Sequence, residues 1–186
     1  MIIGLTGYAQ SGKDTVAKTL IDNYGFKRIA FADPIRELLY KMNPIVGFEF
    51  DGGGWDLKTV VDRDGWDFAK QDPEVRRLLQ DLGVGARNVF YEDFWVDVAL
   101  ADVTNYKDGN HFVITDVRFM NELLQIKRMG GQIWRVDRPN VTAVNSHVSE
   151  SALSEYGVDL LLYNHSTIEN LEENIKSVMA GVLNAK

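Results

Sequence analysis

The stretch from Ile2 to Tyr24 constrains this chain more than any other. It opens with a short uncharged run, Ile2-Ile3-Gly4-Leu5-Thr6, continues as Gly7-Tyr8-Ala9-Gln10-Ser11-Gly12-Lys13-Asp14-Thr15, and runs on from Val16 to Tyr24. The apolar run predicts a buried strand. The residues after Lys13 predict a helix with Val16, Ala17, Leu20, Ile21 and Tyr24 on one stripe and Gly25 as its stop. A glycine-bounded loop ending in Gly-Lys between a strand and a helix is a phosphate-binding arrangement. Gly7 and Gly12 let the backbone curl so that several N–H groups converge on phosphate oxygens. The helix N-terminus adds partial positive charge, and Lys13 reaches the terminal phosphates. Gly7, Ala9, Gln10, Ser11, Gly12, Lys13, Asp14 and Thr15 are therefore the candidates to hold a nucleotide.

One position departs from the usual loop, in which Ser or Thr follows the lysine and ligates magnesium. Here Asp14 stands there, with Thr15 next. A carboxylate is a good hard ligand for magnesium, but without the metal it repels phosphates. Nucleotide binding should therefore lean on magnesium, with Asp14 or Thr15 as the ligand.

At 186 residues the chain predicts one domain with a real core. Its net charge of −7 argues against a sequence-independent nucleic-acid or membrane surface. No apolar run approaches a membrane span. Cysteine is absent, which excludes thiol chemistry and fits a cytosolic protein.

Further along, strands are expected over Lys27–Ala32, His111–Asp116, Gln132–Val136 and Asp159–Tyr163, making five with the first. Asp33-Pro34 predicts a helix capped by Asp33, with Arg36 in its first turn. Asp72-Pro73 repeats that signal ahead of Val75, Leu78, Leu79 and Leu82, with Arg76 and Arg77 on the other side. Gly83 and Gly85 are expected to end that helix before Arg87. Glu92-Asp93 opens another, Asn121-Glu122 begins one closed by Gly130-Gly131, and Ser166-x-x-Glu169 reads as a capping box for the last. The segment 43–109 reads as a mostly helical insertion between core segments 1–42 and 110–186, with Trp55 and Trp66 packing it. Residues 138–157 read as a lid. His111–Asp116, an apolar strand ended by an acid, makes Asp116 the candidate to organise magnesium and its waters, and Arg118 lies two residues on. His147, Ser149 and Glu150 form no hydrolase site, because no G-x-S-x-G elbow is present.

This alternation predicts a three-layer α/β fold of the nucleoside monophosphate kinase kind, a five-stranded parallel sheet with helices on both faces. The stretches Phe31-Ala-Asp-Pro-Ile-Arg36, Gly65-Trp-Asp-Phe-Ala-Lys70, Arg76-Arg-Leu-Leu-Gln-Asp-Leu-Gly83, Phe94-Trp-Val-Asp97, Thr115-Asp-Val-Arg-Phe119 with Asn121-Glu122, and His147-Val-Ser-Glu150 carry more. Together they resemble the deoxynucleoside monophosphate kinases of tailed bacteriophages, nearly end to end. The resemblance implies transfer of the ATP γ-phosphate to a deoxynucleoside 5′-monophosphate, in the host cytoplasm if the chain is phage-encoded. It implies that Gly12, Lys13, Asp14 and Thr15 bind ATP and magnesium. Arg36, Arg76, Arg77, Arg87 and Arg118 become candidates for the acceptor phosphate, with Asp116, His147 and Glu150 as further substrate-binding candidates. Met120 stands where the family usually has proline, and Val84-Gly85-Ala86 departs from its longer polar pattern, which leaves the role of Arg87 open.

Phosphoryl transfer needs positioning and charge neutralisation more than a strong base. Lys13, Arg118 and Arg138 are thus expected to stabilise charge, and Asp116 to hold magnesium-bound water or orient an arginine. Dephospho-coenzyme A kinase, phosphomevalonate kinase and a non-catalytic ATP-binding switch share the loop and remain as alternatives. Monomer or homodimer stays open.

Overall fold

The computed structural model describes residues 1–48, 53–104, 109–139 and 157–184. In chain order the elements are β1 (Ile2–Thr6), α1 (Lys13–Tyr24), β2 (Phe26–Ile29), α2 (Asp33–Met42), β3 (Ile45–Phe48), β4 (Gly54–Asp56) and α3 (Leu57–Ala69). There follow α4 (Pro73–Val89), α5 (Phe94–Thr104), β5 (His111–Ile114), α6 (Met120–Arg128), β6 (Gln132–Asp137), β7 (Leu160–Tyr163) and α7 (Ile168–Asn184). They form two compact units, Met1–Ala30 with Leu100–Lys186, and Phe31–Ala99.

The first unit is built on a five-stranded sheet in the order β2-β5-β1-β6-β7, with every neighbouring pair parallel. β1 lies at its centre, so its residues are covered on both faces and can be apolar throughout. Side chains alternate along the strand. Ile3 and Leu5 face one way, into a cluster with Val16 and Leu20 of α1, Trp134 and Val136 of β6, and Leu171, Ile175 and Met179 of α7. Gly4 faces the other way, where a side chain would meet Ile126 Cδ1 at 2.8 Å and Ile133 Cδ1 at 3.0 Å. Glycine there lets α6 sit close against the sheet, and the result is three layers. Each fully buried aliphatic side chain in this core contributes about 1.5–3 kcal/mol.

The second unit has its own core of Leu39, Val46, Leu57, Ala69 and Val75, with Trp66, Leu78, Leu79 and Leu82 packed against it. Here the structure departs in part from the sequence expectation. The segment 43–109 is mostly helical as expected, but an unexpected antiparallel hairpin, β3 with β4, precedes its helices, pairing Ile45 with Asp56 and Val46 with Trp55. Trp66 packs as expected, but Trp55 is exposed, with the Arg63 guanidinium 5.3 Å above its ring. Gly83 and Gly85 do not stop α4, which continues to Val89. A helical glycine costs about 1 kcal/mol against alanine. Here the Trp95 indole donates to the Gly83 carbonyl at 3.0 Å, and a Cβ on Gly83 would meet Ile35 Cδ1 at 3.5 Å, an ordinary contact.

Helix starts also differ in detail. Asp72 caps α4 as expected, accepting the Glu74 N–H at 2.7 Å. Asp33 is instead the first residue of α2, where its carboxylate accepts from Arg36 Nη1 at 3.1 Å, and Ala32 occupies the cap position. The last helix begins one turn position later than Ser166 suggests: Thr167 Oγ1 accepts the Asn170 N–H, and Ser166 Oγ accepts from the Asn170 amide. β2 is shorter than its expected span and ends at Ile29. α6 ends as expected, with Gly130 at φ 74° donating to Lys127 O and Gly131 donating to Ile126 O. Among the described residues no helix is long and apolar enough to cross a membrane.

Candidate active site

The loop between β1 and α1 has the geometry its glycines predict. Gly7 sits at φ 134°, and a Cβ there would lie 2.4 Å from the Val136 carbonyl oxygen. Gly12 sits at φ 109° and forms the left-handed cap of α1. Gly12, at the cap position, has no side chain to offer a capping oxygen to the first N–H groups of α1. At such an N-terminus the helix dipole favours an anion. Gln10, without a glycine's freedom, also takes positive φ, at 62°.

Lys13 folds back over this loop. Its ammonium donates to the Gly7 carbonyl at 2.8 Å and the Tyr8 carbonyl at 2.7 Å. Ser11 is buried at 1% exposure, its N–H closing a turn onto Tyr8 O, and its hydroxyl has no partner among the described residues. Asp14 is exposed in the first turn of α1, and Thr15 beside it is half-buried.

The flanking strands brace the loop. Arg138, just past β6, donates to the Gln10 carbonyl at 3.2 Å, and Arg135 lies over the Tyr8 ring. Asn164, just past β7, donates to the Ser11 carbonyl at 2.8 Å. Asp116 lies beyond β5 at the same edge of the sheet, between Thr115, whose N–H bonds Ile29 O, and Val117, whose N–H bonds Leu5 O. Arg118 follows, its side chain exposed and its main chain held by the buried carboxylate of Glu122. Lys13, Asp14, Thr15 and Arg138 are therefore on or against one loop, while Asp116 and Arg118 follow the neighbouring strand.

Residues 61–175 match the family described as deoxynucleotide monophosphate kinase. A relative from Acanthamoeba polyphaga mimivirus is 31% identical over 193 residues, spanning 95% of each chain. The chain belongs to the deoxynucleotide monophosphate kinase family. Members named as such from Escherichia phage RB69 and Enterobacteria phage T4 are 23% and 24% identical, and this chain spans 99% and 98% of their lengths. Among solved structures, shikimate kinase from Aquifex aeolicus is similar over 98% of each chain, with 12% identity and a TM-score of 0.47.

The remaining arginines expected at the site of this family member lie in the second unit. Arg36 is paired with Asp33. Arg76 donates to the carbonyls of Lys70 and Gln71, closing the turn from α3 into α4. Arg77 is held between Glu74 and Asp81 at 2.6 Å each. The neighbouring Glu74 carboxylate, and then Asp81, raise the Arg77 guanidinium above its ordinary range, and Arg77 in turn lowers Glu74. Arg87 occupies the last turn of α4, inside the helix. His147 and Glu150, with most of the expected lid 138–157, lie outside the described residues.

Two residues that hold the site, Asn164 and Glu122, carry only weak signals in the sequence. The available signals were an amide ending a strand at the sheet edge that carries the loop, and an acid placed to reach back over its own helix start.

Proposed function

We propose that this deoxynucleotide monophosphate kinase transfers the γ-phosphate of ATP to a deoxynucleoside 5′-monophosphate at the Gly7–Thr15 loop. The observation that carries the reading is the loop itself. Gly7 and Gly12 hold conformations that side-chain-bearing residues rarely adopt, Gly12 offers the α1 N-terminus no side-chain cap, and the Lys13 ammonium is already seated on the loop. Backbone N–H groups would grip the β- and γ-phosphates while Lys13 neutralises charge on the transferring group. The nucleophile is an anionic phosphate oxygen, so no strong general base is required.

The residues present fit magnesium. Asp14 offers an exposed hard oxygen beside the phosphate position, with Thr15 as the rival ligand and Asp116 at the same sheet edge. Among the described residues no three His, Cys, Asp or Glu side chains converge to cage a cation. That donor set suits a metal that keeps waters and takes other ligands from substrate phosphates. Bound there, magnesium would offset the charge of the phosphates as a Lewis acid. Arg118 and Arg138 supply further positive charge. The second unit, with Arg36, Arg76, Arg77 and Arg87, is our candidate for the acceptor phosphate, and 138–157 for the segment that excludes water.

Family membership favours a deoxynucleotide acceptor over dephospho-coenzyme A or phosphomevalonate, and a catalyst over a switch. ADP release on adding each of the four deoxynucleoside monophosphates, the ribonucleotides and dephospho-coenzyme A tests this. Turnover is expected with at least one deoxynucleotide. Turnover with dephospho-coenzyme A alone would overturn the acceptor assignment, and ATP binding without any acceptor-dependent ADP release would favour a switch.

A further inference from the structure

Two strands away from β1, at residue 164, the chain touches the loop again. Asn164 follows β7, and its own N–H donates to the Asp137 carbonyl at 2.7 Å, fixing its main chain to the end of β6. Its side-chain amide then donates to the Ser11 carbonyl at 2.8 Å across 153 residues of sequence. Gly12 makes the room: a Cβ on Gly12 would sit 2.6 Å from the Asn164 amide nitrogen. The second loop glycine is thus required twice, once by its φ of 109° and once by this contact.

A trans peptide is planar, with its C=O and N–H pointing in opposite directions. No cis peptide occurs among the described residues. Holding the Ser11 carbonyl on the Asn164 side therefore turns the Gly12 N–H to the opposite side of that peptide. We propose that Asn164 is a positioning residue for nucleotide binding, setting the Ser11–Gly12 peptide so that its N–H serves the phosphates. This rests on the reading of the loop as the ATP site.

A purely structural role for Asn164 would be to cap α7, but Thr167 already fills that place. Asn164 is neutral, so its effect is geometric. Arg138 grips the adjacent Gln10 carbonyl more loosely, at 3.2 Å, and carries charge of its own.

The test uses Asn164→Ala and Asn164→Leu, the second an uncharged side chain of nearly the same size that lacks the donor. Calorimetric titration with magnesium-ATP, in the absence of acceptor, should show affinity about five- to thirty-fold weaker in both. The acceptor KM should stay within about two-fold, and thermal midpoints should stay close to that of the native protein. Unchanged ATP affinity in both variants overturns the proposal. So does a parallel rise in both KM values accompanied by a lowered midpoint, the signature of general loosening. If the native protein binds ATP but phosphorylates no deoxynucleotide, the proposed reaction fails while the role of Asn164 stands or falls on the titration alone.

Discussion

Glu122 grips the main chain of Arg118: its carboxylate accepts the Arg118 N–H at 2.7 Å and the Phe119 N–H at 3.0 Å. The side chain is 5% exposed, an unusual place for a charge. The two bonds fix the direction in which the chain leaves β5 toward α6, and with it the base of the Arg118 side chain. Glu122→Ala leaves both N–H groups without this partner and should cost about 3 kcal/mol in a urea titration. Glu122→Gln keeps an accepting oxygen and should cost clearly less. A fall in kcat for Glu122→Ala that Glu122→Gln largely restores would tie this contact to the placement of Arg118.

Arg77 is exposed, so its pairs with Glu74 and Asp81 are worth little to stability. Arg77→Ala should therefore leave the thermal midpoint nearly unchanged, and an effect on the monophosphate KM reports substrate contact. We expect that KM to rise about ten-fold or more, as for loss of a charge-assisted phosphate contact, with ATP affinity unaffected. An equal loss of ATP affinity would assign this helix to the other substrate.

How much of this was legible in advance depended on how local the signal was. The β1–loop–α1 stretch, the Asp72 cap and the Gly130-Gly131 stop are each specified by residues within a few positions of one another, and each formed as expected. The β3–β4 hairpin was not legible, because its strands are short and flank a glycine run that reads as a break. α4 runs through Gly83 and Gly85, and the Trp95 indole that bonds the Gly83 carbonyl comes from the next helix, beyond the reach of a local stop signal. Asn164 was missed for the same reason: its partner is 153 residues away.

Asp159 joins α6, β6 and β7, its carboxylate pairing with Lys127 and accepting the Ile133 N–H at 2.6 Å. Partial burial works to raise its pKa, but the bonds from Lys127 and Ile133 outweigh it and the net direction is down. A carboxyl lowered in the folded state stabilises it above the ordinary value near 3.8, and that stability is lost as pH falls through the lowered folded value. Asp159→Asn should cost about 1–2 kcal/mol at pH 7, and the gap to the native protein should close as pH falls below about 4. Denaturant midpoints of both proteins across pH 3–7 check this. A gap independent of pH would remove Asp159 from the acid sensitivity.

Asp14 predicts an unusual dependence on metal. Two unit charges about 4 Å apart repel by about 4 kcal/mol at an effective dielectric near 20, and less where water screens them. A magnesium ion held by Asp14 would offset that repulsion. ATP affinity should fall steeply in EDTA, and Asp14→Ser should bind metal-free ATP better than the native protein does. Equal magnesium dependence in the two would move the metal to Thr15 or Asp116.

The central claim is that the loop closed by Lys13 passes phosphate from ATP to a deoxynucleotide. The most direct test follows γ-labelled ATP mixed with magnesium and each deoxynucleoside monophosphate, using the native chain and Lys13→Ala, with circular dichroism to confirm that both are folded. The account predicts label in a deoxynucleoside diphosphate with the native chain and almost none with Lys13→Ala, whose lost ammonium no backbone donor replaces. Near-native transfer by a well-folded Lys13→Ala protein would contradict it.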